Sequence, residues 1–197
     1  SPDVLLDEIR RIYDQRKKKL QRHRHQYGPS IELCAMEARL EREYCRWKYV
    51  LVFKSETRKK RKGRGPGPAT KRPQVDNGPA FNIFRKAGRR WPGEARLLAA
   101  EADFRRYIWH HGRAIELYEY LARTAPNGEV RRTARLSAAE AMLAELENST
   151  PDLRSDWYHQ LERAQEHLDA VLGPDSQIGL ALVLRARIAI RLNQPVN

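Results

Sequence analysis

The sequence predicts an all-α protein: an N-terminal helical hairpin over residues 1–53, a basic flexible linker over 54–92, and antiparallel helix pairs with a capping helix over 93–197. Three observations carry this prediction. Apolar residues recur every three or four positions in both halves of the chain. Glycine and proline divide the pattern into helix-length segments. Most of the net charge falls in the Gly/Pro-rich middle.

The hairpin is predicted from two amphipathic segments and the break between them. Val4, Leu5, Ile9, Ile12 and Tyr13 follow helical spacing, and Gly28-Pro29 ends that helix. Ser30 is suited to cap a second helix, whose apolar residues run on to Leu51. Residues 49–53 are β-branched and aromatic, but a single strand would have no partner, so we expect helix there as well.

The predicted linker carries the charge. Residues 54–90 hold 13 Lys and Arg against Glu56 and Asp76, a net charge of +11, whereas 1–53 carry +4 and 94–197 carry −2. Eight glycines and prolines between 54 and 80 favour a loop rather than regular structure. Phe81, Ile83 and Phe84 are candidates for a short anchor back onto the body of the protein.

The sequence predicts helix over almost the whole of the C-terminal half. We expect helices near 94–110, 112–124, 128–147, 154–172 and 176–193. The predicted breaks lie at His111-Gly112, at Pro126-Asn127-Gly128, between 148 and 151, and at Gly173-Pro174.

One of these helices carries a recognisable packing pattern. Ala114 is followed by an aromatic residue four positions later, an apolar residue three further on, and a proline five beyond that, namely Tyr118, Leu121 and Pro126. This segment resembles the second helix of a tetratricopeptide repeat (TPR), with a weaker copy at Ala164, Leu168 and Val171. The resemblance covers about residues 94–193 and implies stacked helical pairs that bind a protein partner and do not catalyse a reaction.

Two alternatives stay open for this half. Ala114 and Ala164 are 50 residues apart, against a period of about 34 in the family, and residues 94–110 lack the family's first-helix signature. The related half-TPR repeats of RNA-processing scaffolds and an unrelated α-bundle fit the same helices. Residues 94–197 contain no lysine, so the lysines that hold a chaperone tail in some family members have no counterpart.

The linker contains a run of basic residues between Arg58 and Arg72, which we call the basic strap. It is the candidate site for nuclear import or for nucleic-acid contact. A short Lys/Arg run on a loop is typical of a nuclear localisation signal and of a phosphate-binding patch, and a solvated charged linker is the alternative. An AT-hook is a poor fit, because Gly65 separates Arg64 from Pro66. The candidate residues are Arg58, Lys59, Lys60, Arg61, Lys62, Arg64, Lys71 and Arg72.

Two smaller basic clusters accompany the strap. One, at residues 16–25, ends the first helix, where cations also complement the helix C-terminus. The other comprises Arg85-Lys86 and Arg89-Arg90. If the strap and the 16–25 cluster lie on one face, direct nucleic-acid binding is favoured.

The sequence contains no recognisable catalytic constellation. No two of the six histidines are four residues apart, and His159 and His167, eight apart, have no evident third ligand, so we expect no metal site. Cys34 and Cys45 are eleven residues apart and fit buried thiols of a reducing compartment. We expect no catalytic residues, no cofactor and no small-molecule substrate. The longest apolar run, from Ile178 to Leu184, predicts no membrane partner.

These observations predict a non-enzymatic scaffold or adaptor within a larger complex. Its predicted location is the nucleus, of which the nucleolus is one option. Its TPR-like helices would bind a protein partner, and the strap would serve import and auxiliary nucleic-acid contact. The alternative function is a direct RNA- or DNA-binding component of a ribonucleoprotein, ribosome-assembly or transcription complex. The alternative location is mitochondrial or cytoplasmic.

Overall fold

The computed structural model describes residues 2–61, 75–148, 154–172, 183–184 and 186–188, and within these it describes the side chains of 4–51, 75–146, 158–172, 183–184 and 186–188. The chain forms two compact units, residues 1–92 and 93–197. Over the described ranges all regular structure is helical. The all-α prediction is therefore confirmed.

The N-terminal unit begins with a helical hairpin made of α1 (Pro2–Tyr27) and α2 (Ile31–Arg61). The rings of Tyr13 and Tyr44 stack with centroids 4.2 Å apart. Further along, Arg24 Nη2 lies 2.7 Å from Glu37 Oε2. Residue numbers rise along α1 as their partners' numbers fall along α2, so the two helices are antiparallel, as the short turn predicts.

The turn between α1 and α2 uses the residues that the sequence singles out. Gly28 has a φ of +80°, a conformation that costs glycine little, and its N–H donates to the Arg24 carbonyl at 2.9 Å. Ser30 Oγ accepts a hydrogen bond from the N–H of Leu33 at 3.2 Å. This is the predicted N-cap of the second helix.

The expectation of a structureless linker over 54–80 is wrong at both ends of that segment. Helix α2 continues through residues 54–61, because no glycine or proline interrupts it before Gly63. Helix α3 occupies Gly78–Arg90. Pro79 suits the first turn of a helix, where its missing N–H has no partner to lose. Asp76 Oδ1 also accepts the N–H of Gly78 at 2.8 Å.

Helix α3 packs on α2 through one face. Ala80, Phe84 and Ala87 are buried and follow i, i+4, i+7 spacing. Helix α2 contributes its own buried residues near the turn, among them Cys34 and Ala38. Phe84 was one of the three predicted anchor residues, and the anchor is a helix of 13 residues rather than a short contact.

The C-terminal unit contains α4 (Ala95–Tyr107), α5 (His111–Thr124), α6 (Gly128–Asn148) and α7 (Arg154–Asp169). Each helix packs against the next, and α4 also touches α6. Residues 183–184 and 186–188 are helical, within the predicted helix 176–193. At the α5–α6 turn, Asn127 Oδ1 accepts the N–H of Glu129 at 2.7 Å, and Ala125 before the proline is extended.

The break between α4 and α5 lies earlier than His111-Gly112, where it was predicted. Helix α4 ends at Tyr107, and Trp109 has a left-handed φ of +66°. The N–H of Trp109 donates to the Arg106 carbonyl and that of His110 to the Arg105 carbonyl. These two bonds form a Schellman motif, which usually places glycine where Trp109 stands. The sequence has no helix-breaking residue at this point, so the break could not be placed correctly.

Small residues let the helices of the C-terminal unit approach closely. Ala102, Ala114, Ala138, Ala141 and Ala164 are completely buried. Larger side chains fill the spaces between them, and these are Ile115, Tyr118, Met142, Leu143, Leu161, Leu168, Leu184 and Ile188. A second cluster of Leu121, Ala122, Ala125 and Ala134 joins α5 to α6.

Candidate nucleic-acid interface

The residues of the predicted basic strap are only partly placed by the structure. Arg58, Lys59, Lys60 and Arg61 lie in the last residues of α2. Lys62, Arg64, Lys71 and Arg72 lie outside the described residues. Their role as an import or nucleic-acid signal stays a prediction.

The smaller basic clusters meet at a cleft in the N-terminal unit. This cleft, of about 670 Å³, opens between the α1–α2 turn and α3. Four cations line it, Arg24 from α1 and Lys86, Arg89 and Arg90 from α3, together with one carboxylate, Glu37. We call it the cationic cleft. Two clusters that are about 60 residues apart in sequence thus contribute to one surface.

The cations of α3 share one side of that helix. Positions 86, 89 and 90 follow i, i+3, i+4 spacing, and all three side chains are exposed. They occupy the last turns of α3, where positive charge interacts favourably with the helix dipole. The guanidinium carbon of Arg90 lies 5.4 Å from the ring centroid of Trp91, in cation–π contact.

Arg24 is held in position from α2. Its Nη2 atom donates to Glu37 Oε2 at 2.7 Å and lies 4.0 Å from Cys34 Sγ. Burial raises the pKa of the Cys34 thiol. Burial therefore favours the neutral thiol form of this cysteine, which lines the cleft.

Apolar side chains line the same cleft. These are Pro29 from the α1–α2 turn and Ile83, Ala87 and Trp91 from α3 and its C-terminal end, beside the buried Cys34. The cations can neutralise phosphate or another anion, and the apolar side chains can hold the uncharged part of the same ligand. These residues belong to different clusters in the sequence, and only the packing of α3 on α2 brings them together.

The predicted repeat-packing residues are mostly buried in the C-terminal unit. Ala114, Tyr118 and Leu121 are buried on α5, and Ala164, Leu168 and Val171 are buried on and after α7. Pro126 is exposed in the turn that follows α5. The hydroxyl of Tyr118 donates to Asp103 Oδ1 at 2.6 Å, and burial together with this carboxylate raises the pKa of Tyr118.

A polar cluster joins α5 to α7 in the same unit. Glu119 accepts hydrogen bonds from Arg163 and from His167 Nε2, the latter at 3.3 Å. Burial acts to raise the pKa of the Glu119 carboxyl, but the hydrogen bonds from Arg163 and His167 outweigh it and hold the pKa below its ordinary value. Burial lowers the pKa of His167 despite this carboxylate. The cluster is a structural ion pair between helices.

His111 is a second buried imidazole. Both of its ring nitrogens are buried without a hydrogen-bond partner among the described residues. Burial lowers its pKa, Glu145 acts in the opposite direction, and Arg106 adds to the lowering. The edge of the Trp109 ring covers it, with centroids 5.6 Å apart. Burial therefore favours the neutral form of His111.

The described residues contain no group of three or more His, Cys, Asp and Glu side chains placed to hold a metal ion. Among the helices that the structure describes, none is both long and apolar enough to cross a bilayer. Comparison of the chain with protein-family models, with curated proteins and with solved structures gave no significant match.

Proposed function

We propose that this protein binds RNA or DNA through its N-terminal unit and does so without catalysing a reaction. One observation carries the proposal: Arg24, Lys86, Arg89 and Arg90 come from two separate helices and line one cleft. This convergence brings residues of the two smaller basic clusters to one surface and supports direct nucleic-acid binding, whereas the side chains of the strap lie outside the described residues.

The charge distribution supports a polyanionic partner. The charge is +4 over residues 1–53 and +11 over 54–90, against −2 over 94–197. A cationic unit beside a near-neutral one concentrates the field on one part of the chain. Phosphate neutralisation releases counterions and would supply most of the affinity. Such contacts position a nucleic acid but read no sequence, so we expect broad specificity.

The basic strap fits the same function. Arg58, Lys59, Lys60, Arg61, Lys62, Arg64, Lys71 and Arg72 add phosphate contacts to those of the cleft, and the run from 58 to 64 suits nuclear import. We propose a nuclear protein on this basis. Loss of nuclear accumulation on deletion of residues 58–72 would support the import role, and unchanged accumulation would remove it.

A second candidate function concerns the C-terminal unit. We propose that its TPR-like helices bind a protein partner and make the chain an adaptor between that partner and a nucleic acid. The observation in favour is that Ala114, Tyr118 and Leu121, which carry the resemblance, are buried between packed helices. A small residue, an aromatic and an apolar residue at this spacing pack helical pairs in that family.

The first experiment measures binding of the full chain to duplex DNA and to structured RNA by fluorescence anisotropy between 50 and 200 mM salt. Replacing Lys86, Arg89 and Arg90 with alanine should weaken binding to duplex DNA and lower the salt slope by about 2 to 3. The matched control replaces Arg10, Arg11 and Lys48, three exposed cations of the same unit outside the cleft. An equal loss in both variants would show that only total charge matters.

The adaptor role needs a different measurement. Cross-linking and mass spectrometry of the full chain, isolated with its complexes, should join residues 94–197 to a second protein. Because that segment contains no lysine, the reagent must react with carboxylates. Cross-links to protein that come only from residues 1–92 would contradict the proposal.

A further inference from the structure

We propose that the cationic cleft binds an unpaired nucleotide of a single strand, with its phosphates on Lys86, Arg89 and Arg24 and its base against the apolar side chains beside Trp91. The proposal rests on nucleic-acid binding by the N-terminal unit and names the form of nucleic acid that this unit selects. The shared chemistry is an unpaired base on a phosphodiester backbone, from either RNA or DNA.

The first argument is the composition of the cleft. A surface that only neutralises phosphate needs cations and gains nothing from an apolar wall. Here Pro29, Ile83 and Ala87 line the same cleft as the four cations. An apolar wall with a few charged groups at one side is typical of sites that hold an amphipathic molecule. A nucleotide, with a charged phosphate and a flat apolar base, has that character.

The second argument is the aromatic residue. Trp91 follows directly after the cations of α3 and lines the cleft with them. Proteins that bind single strands combine a cationic groove with aromatic rings on which bases stack. The guanidinium of Arg90 lies 5.4 Å from the Trp91 ring centroid, and its plane is a second surface on which a base can stack.

The third argument is shape. The cleft is a concavity of about 670 Å³, within the range of about 300–1,000 Å³ found for small-molecule sites. A paired base lies stacked inside its helix and reaches such a concavity only after it is flipped out, which costs stacking and pairing energy. An unpaired base enters without that cost, so the cleft should prefer single strands.

The fourth argument is the distribution of charge within the cleft. Glu37 hydrogen-bonds to Arg24 and compensates part of its charge. Lys86 and Arg89 lie on the α3 side, away from that ion pair in sequence and on a different helix. The α3 side therefore carries most of the net positive charge, and the phosphates should bind there, next to Trp91.

The experiment uses the full chain and fluorescein-labelled strands of about 12 nucleotides, as RNA and as DNA of the same sequence, each alone and as a duplex. The parent protein should bind both single strands more tightly than the duplexes. Trp91→Ala should weaken single-strand binding about 5- to 150-fold and leave duplex binding nearly unchanged. Trp91→Phe should retain most of the affinity, because it keeps a ring for stacking.

Trp47→Ala is the control, since Trp47 is a half-exposed tryptophan of the same unit outside the cleft. It should leave binding unchanged. Equal affinity for single strands and duplexes, with no effect of Trp91→Ala, would overturn the inference and leave the phosphate-contact function standing. No binding to any of the four probes would overturn both. A difference between the RNA and DNA strands would identify which of them the cleft prefers.

Discussion

The two units of this protein differ in where their large apolar side chains lie. The largest fully buried side chains of the described residues all belong to the C-terminal unit, from Phe104 to Ile188. The N-terminal unit buries Phe84 and Leu33 together with smaller groups such as Cys34 and Ala87. The C-terminal unit therefore has the larger core, and the N-terminal unit carries the larger positive charge.

The difference separates two roles within one chain. A dense core of alanines interleaved with Tyr118 and Met142 makes a rigid element that is sensitive to changes in volume. A hairpin with one added helix has little core, and its surface side chains can be changed at low cost in stability. Substitutions in the C-terminal unit should therefore act on stability, whereas those near the cationic cleft should act on binding.

The largest expected effect comes from truncating an aromatic residue in each unit. Tyr118→Ala should lower the free energy of unfolding by about 3–5 kcal/mol, because it removes a buried ring and leaves Asp103 without its hydrogen-bond donor. Tyr13→Ala should cost less, since Tyr13 is only partly buried and stacks on Tyr44. Urea unfolding followed by circular dichroism tests this. Equal losses of unfolding free energy in the two variants would contradict the proposed difference between the two units.

The next effect concerns ion pairs. Glu119→Gln should destabilise the protein by about 1.5–3 kcal/mol, because Arg163 and His167 lose a partly buried charged acceptor. The matched change in the N-terminal unit is Glu8→Gln, which removes an exposed partner of Arg11 and should cost less than about 1 kcal/mol. The same unfolding measurement at low and high salt checks both values. A salt-sensitive loss at Glu119 would argue against its burial.

A third test uses pH. Burial holds the pKa values of His111 and His167 below that of an exposed histidine. The unfolded chain therefore binds protons more readily, and stability is complete above about pH 6.5 and falls as pH drops below it. Each histidine contributes a slope of at most about 1.4 kcal/mol per pH unit. Unfolding measured between pH 7.5 and 5 should follow this trend.

His111→Phe should reduce that slope, because it removes the titrating group and keeps a ring against Trp109. His23→Phe is the control, since His23 is exposed on α1. The charged groups that bear on His111 are Glu145, which acts to raise its pKa, and Arg106, which acts to lower it. An unchanged slope in the His111 variant would refute the assignment.

The smallest effects should have opposite signs in the two units. Gly28 and Trp109 both have left-handed backbone conformations, with φ of +80° and +66°. Gly28→Ala should destabilise the hairpin by about 1 kcal/mol, although a Cβ there would touch nothing within 4 Å. Trp109→Gly should stabilise the C-terminal unit by about 0.5–1 kcal/mol. Thermal unfolding of the two variants tests the signs, and destabilisation by Trp109→Gly would show that its ring contact with His111 outweighs the strain.

The sequence predicts the fold well where helix-breaking or capping residues coincide with the ends of helices. Ser30 and the turn at Pro126-Asn127-Gly128 place their helix boundaries closely, because each residue there has a local structural role. The sequence prediction places Gly78-Pro79 in the linker and therefore does not identify helix α3. The i, i+4, i+7 spacing of Ala80, Phe84 and Ala87 was the signal that could have identified it.

The cationic cleft could not be predicted from local sequence patterns. Arg24 and Lys86 are 62 residues apart, and they line one cleft only because α1 and α3 both pack on α2. No local pattern encodes that arrangement. The left-handed turn at Trp109 is missed for a different reason, since two backbone hydrogen bonds of a Schellman motif stabilise a conformation that a residue other than glycine disfavours.

The thiol at the base of the cleft gives access to the kinetics of α3. Cys34 is 5% exposed, so an alkylating reagent reaches it chiefly when α3 separates from α2. Under conditions of rapid reclosing, the alkylation rate is the rate at an open thiol multiplied by the fraction of molecules that are open. Cys34 thereby reports the free energy of opening this helix alone, without unfolding the rest of the chain. A strand bound in the cleft should slow the same reaction, so the alkylation rate of Cys34, followed separately from that of the more exposed Cys45, also reports occupancy of the cleft.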